Sequence, residues 1–129
     1  MTIHLWDEAI PGHRSPSEAI TVQQARTSTR ELIRSRVQQE VARYNQSLPE
    51  VFQGLVQPEE SEQILNGFRM KEPRPLDWEV HYERACSSFE RNGFLVLVDG
   101  LQVCELDEQI ELQEDSEIQF VKLVPLVGG

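Results

Sequence analysis

Cysteine is scarce in this chain of 129 residues. Its only two cysteines are Cys86 and Cys104, 18 positions apart. Two distant thiols in an intracellular chain are more often free than bridged. We therefore expect no disulfide framework.

Long apolar runs are also missing. No stretch approaches the roughly 20 consecutive apolar residues that a membrane-spanning helix needs. The N-terminus, residues 1–10, carries Asp7 and Glu8 and lacks the basic segment and apolar stretch of a secretory leader. We expect a cytoplasmic protein that has no membrane partner.

Positive charge is in deficit, because 12 Lys and Arg face 22 Asp and Glu and give a formal net charge of −10. Such a chain repels nucleic acid unless a basic face is well segregated, and it attracts basic partner surfaces. Nucleic acid is therefore not an expected partner.

The side chains that could carry catalysis or bind a metal do not form a recognisable pattern. The histidines, at positions 4, 13 and 81, lack metal-ligand spacing. Cys86 follows His81 by five residues, which places the two side chains roughly 140° apart on a helix. The sequence predicts no metal, no bound cofactor and no enzymatic activity. We expect Cys104 to pack within a strand.

The first half of the chain reads as a hairpin followed by a helix. Residues 2–6 and 19–22 have the character of short strands, and the segment from Pro11 to Ser17 reads as the turn between them. Ser28 and Glu31 form a capping box, and we expect the helix to end near residues 44–45. Its predicted buried stripe is Ile33, Val37, Val41 and Tyr44, and its water-facing residues are Arg30, Arg34, Gln38 and Glu40.

Residues 47–93 read as a helical excursion. Residues 58–65 resemble a short helix with Pro58 in its first turn and acidic residues following it. Asp77 is placed to cap a second helix. The buried stripe of that helix is predicted to be Trp78, Tyr82, Ala85 and Phe89, and we expect its three large rings to pack on the domain or on a partner.

The last third returns to strands. Residues 94–98 form a continuous apolar run, Asp99-Gly100 is a favoured hairpin dipeptide, and residues 101–104 lead back. Residues 110–112 and 117–121 add two further strands. Pro125 should release the chain from the sheet. The predicted class is α+β, with Val96, Val98, Ile118, Phe120, Ile33 and Val37 buried between the sheet and the first helix.

This order resembles the β-grasp sulfur carriers, namely the small subunit of molybdopterin synthase and the thiazole-biosynthesis carrier, which belong to the ubiquitin-like superfamily. Leu97-Val-Asp-Gly100 is similar to their Val-Asn-Gly hairpin, and Leu112-Gln-Glu-Asp-Ser-Glu-Ile118 to their Leu-x-x-Gly-Asp-Glu-Val. Thr29-Arg-Glu-Leu-Ile33 resembles the start of their helix, and Gly128-Gly129 their terminal Gly-Gly. The resemblance covers residues 2–46 and 94–129, and it implies a single β-grasp domain over residues 1–129 with an insertion at 47–93 and a flexible tail at 125–129.

The resemblance also implies a role for the tail. A partner adenylating enzyme uses ATP to activate the carboxylate of Gly129, and Gly128 lets the chain follow a narrow channel because glycine has no Cβ. We expect residues 126–129 to be extended, exposed and mobile. Residues that could contact this enzyme are Phe120, Leu123, Val124, Leu126 and Val127. Phe120 and Val124 are also candidates for the core.

Three functions remain open from the sequence. The first is a modifier that a conjugating enzyme joins through Gly129 to a target protein. The second is a sulfur carrier whose Gly129 thiocarboxylate serves a sulfur-transfer synthase. The third is a non-covalent binding module. The chain has only two lysines, Lys71 and Lys122, and ten arginines. A low number of lysines would limit self-conjugation, which favours the modifier. The insertion also favours the modifier, because it is larger than a compact carrier needs.

Overall fold

Over the residues that the structure describes, the protein is α+β, with a mixed sheet and two helices. The computed structural model describes residues 1–10, 12–17, 19–65 and 67–123. In chain order their elements are β1 (Thr2–Ile10), β2 (His13–Pro16), β3 (Ile20–Thr21), β4 (Arg26–Ser28), α1 (Thr29–Ser47), β5 (Val51–Phe52), β6 (Ser61–Ile64), β7 (Gly67–Met70), α2 (Trp78–Glu90), β8 (Phe94–Val98), β9 (Leu101–Val103), β10 (Gln109–Glu111) and β11 (Glu117–Lys122).

The main sheet has the strand order β2-β1-β11-β8-β9, and β3 also pairs with β1. The last strand, β11, thus lies between the two hairpins. It runs parallel to β1 and antiparallel to β8. Burial of the predicted core is confirmed, since all six predicted residues are buried in one hydrophobic cluster: Val96, Val98, Ile118, Phe120, Ile33 and Val37.

Helix α1 begins as the capping box predicts. The Ser28 hydroxyl accepts a hydrogen bond from the Glu31 backbone N–H at 3.2 Å. The predicted apolar stripe is buried, so α1 covers the inner face of the sheet. The helix continues to Ser47, past the predicted end, and stops where Leu48 takes a left-handed conformation with φ of 49°.

The turn predicted in the first hairpin was too long. His13–Pro16, assigned to the turn, form strand β2 and pair with Trp6 to Ile10 of β1. The return strand is therefore split into β2 and β3. All four side chains of β2 are exposed, so a hydrophobic pattern does not reveal this strand. Backbone pairing with β1, and not burial, holds it in place.

The helix predicted at residues 58–65 was wrong. Strands β5, β7 and β6 form a small antiparallel sheet in that order, and Ser61 pairs with Met70. Glu60 has a left-handed φ of 52°, which a continuous helix cannot contain. The insertion thus combines a small sheet with one helix, and its buried residues join the same core as the main sheet.

The second helix and the second hairpin follow the predictions. The Asp77 side chain caps α2 by accepting from the Glu79 N–H at 2.9 Å. Phe89 is buried, while Trp78 and Tyr82 pack against the core as partly buried rings, which confirms that all three pack on the domain. Asp99 and Gly100 have φ of 50° and 82°, as their hairpin turn requires.

Candidate functional site

The predicted site begins where the last strand ends. Strand β11 finishes at Lys122, and Leu123 is the last residue that the structure describes. The remaining predicted site residues lie outside the described residues, and so does the expectation of an extended, mobile tail. These residues are Val124, Leu126, Val127, Gly128 and Gly129.

The two described members of the predicted contact strip have different environments. Phe120 is fully buried, so it has the core role that the sequence also allowed and offers no surface to a partner. Leu123 is 49% exposed. Side chains alternate along β11, so the inward Phe120 and the outward Val121 point to opposite faces of the sheet. Of the two described members, Leu123 is therefore the one that offers an exposed apolar side chain.

A network of four charged side chains lies at this end of the sheet. The guanidinium of Arg36 donates to both carboxylate oxygens of Asp7 at 2.5 and 2.9 Å, and to Glu40 Oε2 at 2.9 Å. Lys122 Nζ lies 3.6 Å from Asp7 Oδ2. The other oxygen of Glu40 accepts from the Leu55 backbone N–H at 3.2 Å. The network thus ties the end of β11 to β1, α1 and the insertion.

The network corrects the prediction that Glu40 faces water. Its side chain is 7% exposed and that of Arg36 is 5% exposed. The sequence contained a signal for this ion pair. Arg36 and Glu40 have opposite charge and are four residues apart, so they share one face of the helix. Asp7 and Lys122 carried no such signal, since β1 and β11 bring them together from opposite ends of the chain.

Burial changes how these groups titrate. Burial raises the pKa of Glu40, and the neighbouring Arg36 offsets only part of that shift. Burial alone would lower the pKa of Arg36, but the carboxylates of Glu40 and Asp7 outweigh it and raise the pKa. Burial also lowers the pKa of Lys122. Arg36 therefore stays a cation at neutral pH and pairs with Asp7 and Glu40.

The outer face of the sheet, opposite α1, carries an apolar patch that sequence reasoning missed. Its members are partly exposed and none of them packs against the core: Trp6, Leu95, Leu97 and Val121. The sheet register places Trp6 and Leu97 on either side of Gln119, and it places Leu95 beside Val121. The four side chains therefore lie in two adjacent rows across the strands. Arg14 stacks over the Trp6 ring at 4.0 Å. Residues 94–98 alternate between the buried face and the outer face of the sheet. All five are apolar, so the sequence does not show which of them point outward.

Two clefts flank Leu123, and the insertion forms a wall of each. The larger cleft has a volume of about 920 Å³ and lies among α1, the end of β11 and the small sheet. The smaller one, of about 600 Å³, lies between the small sheet and the end of α2. The side chains common to both are Leu55, Gln63, Phe68 and Leu123. Leu123 is thus flanked by the insertion on two sides.

The cysteines and His81 offer no catalytic arrangement. Cys86 is buried, and burial raises the pKa of its thiol, which leaves little thiolate at neutral pH. Burial lowers the pKa of His81, whose ring packs edge-on against Phe52. Cys104 is exposed just beyond β9, so the prediction that it packs in a strand was wrong. Across the described ranges, no three His, Cys, Asp or Glu side chains are arranged to hold a metal ion.

Comparisons with models of protein families, with curated proteins and with solved structures found no match. Neither helix in the described part of the chain is long and apolar enough to cross a membrane.

Proposed function

We propose that this chain is a ubiquitin-like protein of the β-grasp fold whose Gly129 carboxylate is activated by a partner enzyme and then joined to a target protein. In the activation step the carboxylate attacks the α-phosphorus of ATP, which forms an acyl-adenylate and releases pyrophosphate. An enzyme thiol then displaces AMP, and a target amine finally displaces the thiol to form an amide. ATP is thus a substrate of the partner, and this chain supplies only the carboxyl group.

The observation that carries the proposal is the strand order. A hairpin, a helix packed on the sheet, a second hairpin and a last strand between the two hairpins support a β-grasp assignment. Strand β11 ends at Lys122, seven residues before Gly129. The Gly-Gly pair therefore follows the central strand at a distance that lets it enter another protein.

The lysines support the modifier over the sulfur carrier. Lys122 is half-buried and lies beside the Asp7 carboxylate, so its amine is poorly placed to attack an activated tail. Lys71 is exposed in the loop that follows β7. A modifier with one open lysine presents few competing acceptors to its own activated copies.

The test is ATP–pyrophosphate exchange with each ubiquitin-activating-type enzyme of the native host, purified and mixed with this chain. We expect exchange with one of them, and we expect deletion of Gly129 or the substitution G128L to abolish it. The substitution L101S is the control, because Leu101 lies on β9 at the opposite end of the sheet from Lys122. Exchange that persists without Gly129, or its absence with every such enzyme, would refute the proposal.

A further inference from the structure

The small sheet β5–β7 contributes an exposed apolar rim beside Leu123. Leu65, which follows β6, is 71% exposed, and Leu123 is 49% exposed. Both line the larger cleft, together with the partly buried Ile64 and Phe68. Two exposed leucines and two half-covered apolar side chains around one opening exceed the scattered apolar exposure usual on a surface.

The length of the tail restricts what can cover this rim. Gly129 is the sixth residue after Leu123, and six extended residues span at most about 20 Å. An enzyme that encloses Gly129 in its active site must therefore approach the domain closely around Leu123. Because the insertion flanks Leu123 on two sides, an enzyme that binds the tail also contacts the insertion.

Local charge indicates the chemistry of the enzyme's surface. The chain as a whole carries −10, but the smaller cleft is lined by Arg84, Arg91 and Glu83, which leaves one positive charge in excess. Arg84 and Arg91 outnumber Glu83 along this cleft, which favours acidic side chains on the partner surface that faces it, since complementary potentials guide docking.

We propose that the small sheet is a docking element for the adenylating enzyme, which covers Leu65 and Leu123 with apolar side chains and faces Arg91 with acidic ones. This inference rests on the proposed function of Gly129. It gives the insertion a role that a compact carrier lacks, namely selection of the enzyme that activates this tail. Enzymes that lack this complementary surface would then activate the chain poorly.

The experiment measures the KM and kcat of ATP–pyrophosphate exchange for the wild type and three variants. We expect L65S and L123S each to raise KM about tenfold, the cost of losing one buried apolar side chain, and to leave kcat unchanged. The charge reversal R91E should also raise KM. The matched controls are L101S, at a leucine exposed by 75% at the far end of the sheet, and R26E, at an exposed arginine of β4 before the start of α1.

The outcomes separate the two proposals. If exchange occurs and L65S behaves like L101S, the small sheet does not dock the enzyme, whereas the function of Gly129 stands. If only L123S raises KM, the contact belongs to the tail alone and the inference also fails. If no enzyme exchanges pyrophosphate with the wild type, both proposals fall. Circular dichroism of each variant verifies that the fold is retained.

Discussion

Replacing Arg36 by methionine should cost this protein much of its stability, by an amount that depends on pH. Methionine keeps much of the side-chain length over the Phe120 ring, where the guanidinium carbon lies 4.8 Å from the ring centroid. The substitution removes three hydrogen bonds to Asp7 and Glu40. Asp7, whose side chain is 20% exposed, keeps Lys122 at 3.6 Å, but Glu40, whose side chain is 7% exposed, loses its ion-pair partner.

The expected loss is about 3–5 kcal/mol of unfolding free energy near neutral pH, the usual cost of leaving a buried charge without its partner. Domains of this size are stable by only about 5–15 kcal/mol, so the loss is a large share of the total. Arg34 provides a matched control on the same helix. It is half-exposed, lies 3.9 Å from Glu31 and stacks 5.5 Å from the Trp78 ring centroid, so R34M should cost about 1 kcal/mol or less.

The pH dependence follows from Glu40. Burial raises its folded-state pKa above the ordinary 4.5, and removing Arg36 raises it further. A carboxyl group with a raised folded-state pKa favours the folded state when protonated, and this contribution is lost as pH rises through that pKa. The stability gap between the wild type and R36M should therefore narrow as the pH falls from about 7.5 to about 5.

Urea denaturation followed by far-UV circular dichroism at both pH values measures these differences. The reasoning is refuted if R36M and R34M lose equal stability near neutral pH. A gap between the wild type and R36M that stays constant or widens on acidification would also contradict it.

Three further predictions concern local structure. S28A should lower the unfolding free energy by about 1 kcal/mol in urea denaturation, because the Glu31 N–H loses its capping acceptor. G100A should cost about 1–2 kcal/mol in the same assay, since φ of 82° strains any Cβ although no atom obstructs it; an unchanged midpoint would argue against this turn. Iodoacetamide should label Cys104 in the native protein and spare Cys86 until urea is added, as read by mass spectrometry, and equal labelling would contradict the burial of Cys86.

Elements set by neighbouring residues were predictable from the sequence. The caps of the two helices, Ser28 and Asp77, bond within three residues of themselves, and the Asp99-Gly100 turn depends on its own backbone. The small sheet was not predictable in this way. Its strands are two to four residues long and gain stability by pairing with each other, as Ser61 does with Met70, so their local pattern could equally fit a short helix.

The residues of the candidate site also divide into those that a local pattern predicts and those that only the fold brings together. The exposed Leu123 was identified from a linear motif, and the role of the Gly128-Gly129 pair in that motif stays a prediction. The charged network was not, because Asp7, Arg36 and Lys122 are far apart in the chain and only the pairing of β1 with β11 over α1 brings them together. The outer-face patch likewise needs the sheet register, which places Leu95 beside Val121.

The central claim, that Gly129 is the reactive group, is tested most directly by mass spectrometry of the protein purified from its native host. We predict that part of it is recovered with Gly129 in amide linkage to a lysine of another protein, found as a branched peptide after digestion. A C-terminal mass gain equal to sulfur replacing oxygen would identify a sulfur carrier instead. An unmodified Gly129 in all the protein recovered, together with normal function in cells after its deletion, would contradict the claim and favour a non-covalent binding module.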